Sequence, residues 1–533
     1  MKILMATSEA VPFAKTGGLA DAVSALSLAL AKLGHEVKIV LPRYYAISKE
    51  KLTLLKGELG VPVGGFEEWC AVYKTTLPGS DVKNPIETYF IDHEIFFGRD
   101  GVYGTPFEPD FIDNPRRFTF LSRAVFQLCH KINWFPNVLH SHDWPTALVP
   151  VYLKYALRNG PFEKTVSILT IHNLGYQGVY HKDNFHYTGL GWNVYYEGGF
   201  EDWNMMNMLK AGIYSADRLN TVSETYCAET MMQEHGFRLD GPLRYRNADY
   251  RGILNGVDTD VWNPAKDNYI PKQYSVDDLS GKAAAKAELQ KSFGLQINPD
   301  VPVIGMITRL TGQKGVGEVF GPGYGSAFSM CRDMKLDFIV LGSGEAWCEH
   351  ELRGLSSRLS NFRAIIGYSE SISHLIEAGS DFFLMPSRYE PCGLNQMYSL
   401  LYGTPPIVRR TGGLVDTVTN FNEETGEGTG FMFDDLTPHA VYNTVGWALW
   451  AYYNRPKEIA AMRKRGMKQD FSWAYSAKKY LDMYNDAGAK EGSAAPRKQI
   501  KAAQPETSKI TTKQASPPES SAKPSTRRQK GRN

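Results

Sequence analysis

Arg309 and Lys314 stand in "TRLTGQKG", a polar loop directly behind the apolar run "VPVIGMI". A guanidinium and an ammonium so placed can neutralise a diphosphate, the first as a fork and the second as a point charge. On an ordinary exposed loop the same two cations would only be solvated. Further on, "PSRYEPCGLNQ" carries Glu390 in a turn with Pro391 and Gly393. A carboxylate beside the N–H groups of Cys392 to Asn395 suits a hydroxyl-rich ligand that also bears phosphate. The plainer alternative is a glutamate held at a helix N-terminus by the dipole. No DxD-type carboxylate pair follows a strand in a way that calls for a metal ion.

Two loops share one phrase. "KTGGLADAV" begins at Lys15 and "RTGGLVDTV" at Arg410, each a glycine-rich turn running into a helix. Glycines let backbone approach an anion, and helix N-termini favour phosphate. Lys15, Gly17 and Gly18 fit that use in the first copy, and Thr411, Gly412 and Gly413 in the second. A tight strand-to-helix turn explains either copy equally well when taken alone. The fingerprint GxGxxG is absent after the first strand, which weighs against a dehydrogenase. "HSHDW" supplies His140, His142 and Asp143 at a strand end, and His172 and Asn173 end the strand "VSILTI". An amidohydrolase metal site would also need further ligands and an eight-fold barrel, and no eight-fold pattern exists. A polar cleft wall is the better reading, with Asp143 accepting from hydroxyls and His172 facing the same space.

The elements that must position these groups repeat one plan. "KILMAT", "EVKIVLPR", "IETYFID", "NVLHSH" and "VSILTIHN" are near-continuous apolar strands separated by amphipathic helices such as "RRFTFLSRAVFQLCHKI". That pattern predicts an α/β fold with a parallel, doubly wound sheet. A second series, "VPVIGMITR", "LDFIVLGSG", "FRAIIGY", "DFFLMPSR" and "PPIVRR", follows a boundary near residues 251–265. Ligands of such sheets sit beyond the carboxyl ends of the strands, where all the loops above lie. Periodicity does not say where the last helix, "WAYSAKKYLDMYNDAG", packs.

At 533 residues the chain is long enough for at least two domains. Formal net charge is +2, but residues 487–533 hold eleven Lys and Arg against three Glu, so the body carries about −6. The body therefore lacks the basic footprint of a nucleic-acid binder. The Ser-, Pro- and Lys-rich tail is expected to be disordered, its partner undecided. Six scattered cysteines without a CxxC pair point to reduced thiols. No apolar run reaches the ~20 residues of a membrane span, and the N-terminus is a strand and not a secretory signal. A cytoplasmic enzyme with no membrane association is expected.

"KTGGLADAV", "HSHDW", "IHNLGYQG", "LNGVDTDVWNP", "RLTGQKG", "PSRYEPCGLNQ" and "RRTGGLVDTV" occur in this order and closely resemble bacterial-type glycogen synthase and plant starch synthase, over about residues 1–485. The resemblance implies a GT-B fold: an acceptor-side Rossmann-like domain at 1–253, a nucleotide-sugar domain at 254–458, and a helix at 459–486 crossing back, before the tail at 487–533. It implies retaining transfer of glucose from ADP-glucose to the non-reducing end of glycogen or another α-1,4-glucan, without cofactor or metal. It implies that Lys15 contacts the donor, with Gly18 near the diphosphate. Arg309 and Lys314 would stabilise departing ADP; His172, Asp143 and Asn255 would face the glucose. Glu390 would lie beside the glucosyl unit with Cys392, Gly393 and Leu394, and Tyr368 against adenine. Departures are Tyr398 in a slot where many relatives of this fold carry a second Glu, Asn395 where Thr is common, and the broken helix "VGEVFGPGYGSAFSM". A UDP-glucose-dependent relative, an inactive glucan-binding protein and, more distantly, a Rossmann oxidoreductase are the alternatives.

Overall fold

Lys2–Ala6, Glu36–Pro42, Val138–His142 and Val166–Ile171 are strands buried along almost their whole length. Strands apolar on both faces need cover from both sides and pair in parallel, as these do. The computed structural model describes residues 1–105 and 107–488; the expected disordered tail lies outside them from residue 489 on, its first residue, Ala487, being buried in the first core. From one edge the first sheet runs Tyr250–Gly252, Arg218–Thr221, Val166–Ile171, Val138–His142, Lys2–Ala6, Glu36–Pro42, Glu87–Asp92, Phe66–Thr76 and Thr53–Leu54.

The expected parallel, doubly wound sheet carries an antiparallel addition at that last edge. Phe66–Thr76 runs antiparallel to Glu87–Asp92, and Leu59–Val63 and Thr53–Leu54 pair antiparallel with it. The cause is local. Val63 and Phe66 are joined by Gly64-Gly65, a two-residue turn that admits only an antiparallel return. Phe66–Thr76 is also only half buried, through Cys70 and Val72, as suits a sheet with one wet face. A small antiparallel sheet of Val179–His181, Met205–Asn207 and Glu201–Asp202 was likewise absent from the sequence pattern.

The second sheet is parallel throughout, in the order Phe362–Ile366, Asp337–Gly344, Val303–Leu310, Phe382–Met385, Pro406–Arg409 and Phe431–Phe433. Its central strands, Val303–Leu310 and Phe382–Met385, release the "TGQKG" and "PSRYEPCG" loops at their carboxyl ends. The interrupted helix forms as two pieces, Val316–Phe320 and Ser326–Asp333, and Val316, Val319, Phe320 and Ala327 remain buried. The break therefore leaves the core behind Lys314 filled.

The chain passes between the halves twice, and the two passages touch. Val257 N donates to Phe471 O at 2.7 Å, and a Cβ on Gly256 would stand 2.7 Å from the Trp473 backbone. Helix Pro456–Met467 packs Ile459 and Met462 into the second core, so the return falls at residues 468–472. Helix Trp473–Asp486 then buries Trp473, Ala477, Tyr480 and Tyr484 in the first core, a stripe at helical spacing.

A second junction corrects one expectation about the repeated phrase. Thr411 does not line the cleft: its hydroxyl donates to Glu229 Oε2 at 3.3 Å, and Gly412 N donates to Glu229 Oε1 at 3.0 Å. Gly413 N donates to Glu390 O. The donors expected to hold an anion are thus spent on protein. In return Asp416 accepts from Ser223 Oγ at 2.6 Å and Thr225 N at 3.1 Å, capping helix Glu224–Thr230. Each of two short helices is capped by an acid from the other half of the molecule.

Candidate active site in the cleft

Lys314 ends a tight turn, Gly312–Lys314, whose exit demands glycine. Gly315 has φ +69°, and a Cβ there would lie 1.9 Å from Pro386 O. This contact presses the Lys314 loop onto the Glu390 loop, and Arg388 N donates to Gln313 O at 2.8 Å across the seam. Lys314 Nζ reaches Glu390 Oε2 at 2.5 Å, and Ser387 Oγ donates to the same oxygen at 2.8 Å. Glu390 is buried, and its other oxygen makes no hydrogen bond among the described residues. Arg309, near the end of Val303–Leu310, is exposed and its guanidinium makes no ion pair among the described residues. One cation is therefore committed to a carboxylate and one is open to an anion.

These groups stand at a neck. A recess of about 260 Å³ in the second half is lined by Gly342, Gly367, Tyr368 and Ser387. A cavity of about 1060 Å³ lies between the halves, lined by Gly18, Asp143, His172, Asn255 and Glu390 among others. Arg309, Lys314, Gly393, Leu394 and Asn395 border both spaces. Tyr368 is 72% exposed at the mouth of the recess. Asn395 is held by its amide, which donates to Ile307 O at 2.9 Å. Tyr398 lines neither space: its ring stacks on Trp262 at 3.9 Å, and Trp262 stacks on His374. Cys392 is buried, and burial pushes its thiol up to about 12, so it remains protonated.

From the first half, the glycine-rich turn contributes Thr16, Gly17 and Gly18 to the lining, and not Lys15. Lys15 Nζ is paired with Asp21 at 2.8 Å and half exposed, outside the cavity wall. Thr16 and Gly17 turn their N–H groups onto Glu9, which also accepts from Thr16 Oγ1 at 2.8 Å and Tyr103 OH at 2.6 Å. Glu9 was not anticipated. Its only signal was an acid just past the first strand, in "TSEAV". Gly18 faces the other half: a Cβ there would be 3.6 Å from Leu394 Cδ1.

Asp143 sits at φ +55°, a conformation that Asp tolerates better than most residues. Its Oδ1 accepts from His172 N at 2.6 Å and Asn173 N at 3.4 Å, fixing that loop. Burial pushes the Asp143 carboxyl up to about 7, against the pull of those two donors. His172 Nε2 lies 3.1 Å from His142 Nδ1, and burial holds the His172 imidazole down to about 3, hence neutral. The HxH pair is turned inward: His140 contacts Tyr484 OH and Thr170 Oγ1. Asn255 is buried with Oδ1 unpartnered among the described residues, at the cavity wall. Buried acceptors are seldom left so, and one at a cavity wall suits a ligand hydroxyl.

An aromatic wall completes the first-half side. Tyr103, Trp144, Tyr176, Tyr180 and Phe237 line the cavity. Trp144 and Tyr176 lie within motifs quoted above, but no spacing marked them as one surface. Flat rings with hydroxyl and N–H edges suit the faces of sugars. The cleft thus offers a recess for a flat ring, a cationic neck, a polar chamber and an aromatic approach. No helix among the described residues is long and apolar enough to cross a membrane.

Residues 2–245 match the family model described as starch synthase catalytic domain, and 288–465 the one described as glycosyl transferases group 1. A glycogen synthase of Treponema denticola is 59% identical over 92% of this chain and 100% of its own length. Glycogen synthase 1 of Geobacter metallireducens is 44% identical over 91% of this chain and 96% of its own. The catalytic domain of starch synthase IV from Arabidopsis thaliana, solved with ADP and acarbose, superposes with a TM-score of 0.82 at 30% identity. That match covers 92% of this chain and 99% of the other.

Proposed function

The chain belongs to the bacterial glycogen synthase and starch synthase family of GT-B glycosyltransferases, and from that premise we propose how its cleft works. It transfers glucose from ADP-glucose to the non-reducing end of an α-1,4-glucan, in the cytoplasm, with retention of configuration and release of ADP. The observation that carries the reading is the neck. Arg309 and Lys314 border both the recess and the larger cavity, where a diphosphate joining a nucleoside to a sugar would have to lie. Adenosine then occupies the recess beside Tyr368, and glucose the chamber among Asp143, His172, Asn255 and Glu390. The glucan approaches along the aromatic wall.

The chemistry follows from charge. As the anomeric bond lengthens, positive charge builds on the sugar and negative charge on the diphosphate. Arg309, without an ion pair among the described residues, and Lys314 stabilise the phosphate side. Glu390 offers its open oxygen to the glucosyl unit while Lys314 and Ser387 hold the other. Attack comes on the face that the diphosphate leaves, with a phosphate oxygen taking the acceptor proton. His172 is neutral and adds a hydrogen bond but no charge. Closing the halves excludes water and disfavours donor hydrolysis.

Nucleotide release from ADP-glucose and UDP-glucose, each with and without glycogen, tests this. Glycogen-dependent release of ADP, with label entering the polymer, is the expected result. Preference for UDP-glucose would change the donor and keep the mechanism. Glycogen binding without release from either donor would make the chain a silent glucan binder.

A further inference from the structure

Behind the sugar side of the cleft three imidazoles stand in line. Ring centroids are 4.2 Å apart from His140 to His142 and 5.3 Å from His142 to His172. Their protons can be assigned from the neighbours. Asn220 Nδ2 donates to Tyr480 OH at 3.1 Å, which leaves Asn220 Oδ1 to accept from Thr170 Oγ1 at 2.7 Å. Thr170, its proton spent, must accept from His140 Nε2 at 2.6 Å. His140 is then protonated at Nε2, and its Nδ1 accepts from Tyr484 OH at 2.8 Å. His140 is complete and has no proton to offer His142.

His142 is 1% exposed, and its Nε2 has no partner among the described residues. Its Nδ1 lies 3.1 Å from His172 Nε2, and one proton must sit between them. If His172 donates, His142 carries its proton on the orphaned Nε2, a buried N–H with no acceptor. If His142 donates from Nδ1, only a bare lone pair is left unused. Orphaned buried N–H groups are rarer than under-used acceptors, and stranding a donor costs its full desolvation.

We infer that His142 is a positioning residue that fixes His172 as the Nδ1–H tautomer, so that His172 presents a hydrogen-bond donor to the cleft. Asp143 holds the His172 backbone from the other side, and His172 Nδ1 has no protein partner among the described residues. Ring position and tautomer are thus both set before a ligand arrives. Resting on the reading that the hexose occupies this chamber, a hexose hydroxyl oxygen would accept from His172, leaving its own proton for another group. A neighbour with unshared oxygen lone pairs is what this site selects.

The test uses the full chain labelled with 15N-histidine, His142 and His172 signals being assigned from His142→Asn and His172→Gln. In the wild type, His172 is expected to show a protonated Nδ1 and a bare Nε2. In His142→Ala that pattern should give way to a mixture, and kcat should fall about tenfold, the usual scale for losing an orienting partner. The donor KM should move much less. His142→Asn, whose amide nitrogen can stand in for Nδ1, should restore most of the turnover and the wild-type tautomer. A proton on His172 Nε2 in the wild type overturns the inference, as does an unchanged tautomer in His142→Ala. Normal turnover in His172→Gln with the expected spectrum would instead remove His172 from the functional reading and leave the tautomer assignment standing.

Discussion

Two residues make the sharpest demands on the cleft. Lys314 both faces the neck and holds Glu390, so Lys314→Ala removes a preorganised cation and strands a buried carboxylate. The expected loss in kcat is ~10²–10³, the scale for one charge-stabilising group; unchanged turnover would sink the role given to it. Asp143 gives a pH signature. Its carboxyl titrates near 7 instead of its ordinary 3.8 because burial disfavours the charge. The ionised form, dominant above 7, accepts better from His172 N and Asn173 N. We therefore expect kcat/KM to rise through about pH 7 and Asp143→Asn to lose that limb. Stability runs the opposite way. A raised folded value means that the folded state keeps its proton more tightly, so Asp143 costs stability as pH climbs from 3.8 towards 7. Thermal melts should find Asp143→Asn more stable than wild type at about pH 8, with the gap closing towards about pH 4. A pH-independent gap would contradict the assignment.

Elements explain what these residues can rely on. The two copies of Thr-Gly-Gly-Leu are turns of the same kind with different work, because different acids found them. Glu9 holds the first copy at the cleft, and Glu229 draws the second into a clasp between the halves. Asp416→Ala removes a cap from helix Glu224–Thr230 and is expected to cost about 0.5–2 kcal/mol in urea unfolding. Glu229→Ala should cost a similar amount, and an unchanged urea midpoint in both would show that the clasp bears no load. Strands and helices with strong apolar patterning were legible, since their signal lies within ten residues or so. The antiparallel edge was legible in principle from Gly64-Gly65 but was outweighed by the parallel pattern around it. The partner of helix Trp473–Asp486 was not legible, since its apolar stripe fits any complementary groove.

At the scale of the molecule, function depends on two halves joined by two touching passages. The passages at Gly256 and Phe471 touch each other, so their separation leaves no room for a methyl group. Gly256→Ala is expected to destabilise by about 1–3 kcal/mol, as overpacking does. A melting temperature equal to wild type would mean that the passages can part freely. The sequence by itself determined two α/β halves and the motif loops at strand carboxyl ends that carry Arg309, Lys314 and Glu390. Those follow from apolar periodicity and turn chemistry, which act between residues near in the chain. Only the tertiary structure decided which donors remain free for a ligand. Glu9, Glu229 and Asp416 spend or spare the N–H groups of turns, and Glu229 and Asp416 do so from the opposite half. His142 meets His172 only where parallel strands bring their ends together. Hydrogen-bond partners remote in sequence are chosen by packing, because burial leaves no water to satisfy them and each must take the nearest group that the fold supplies.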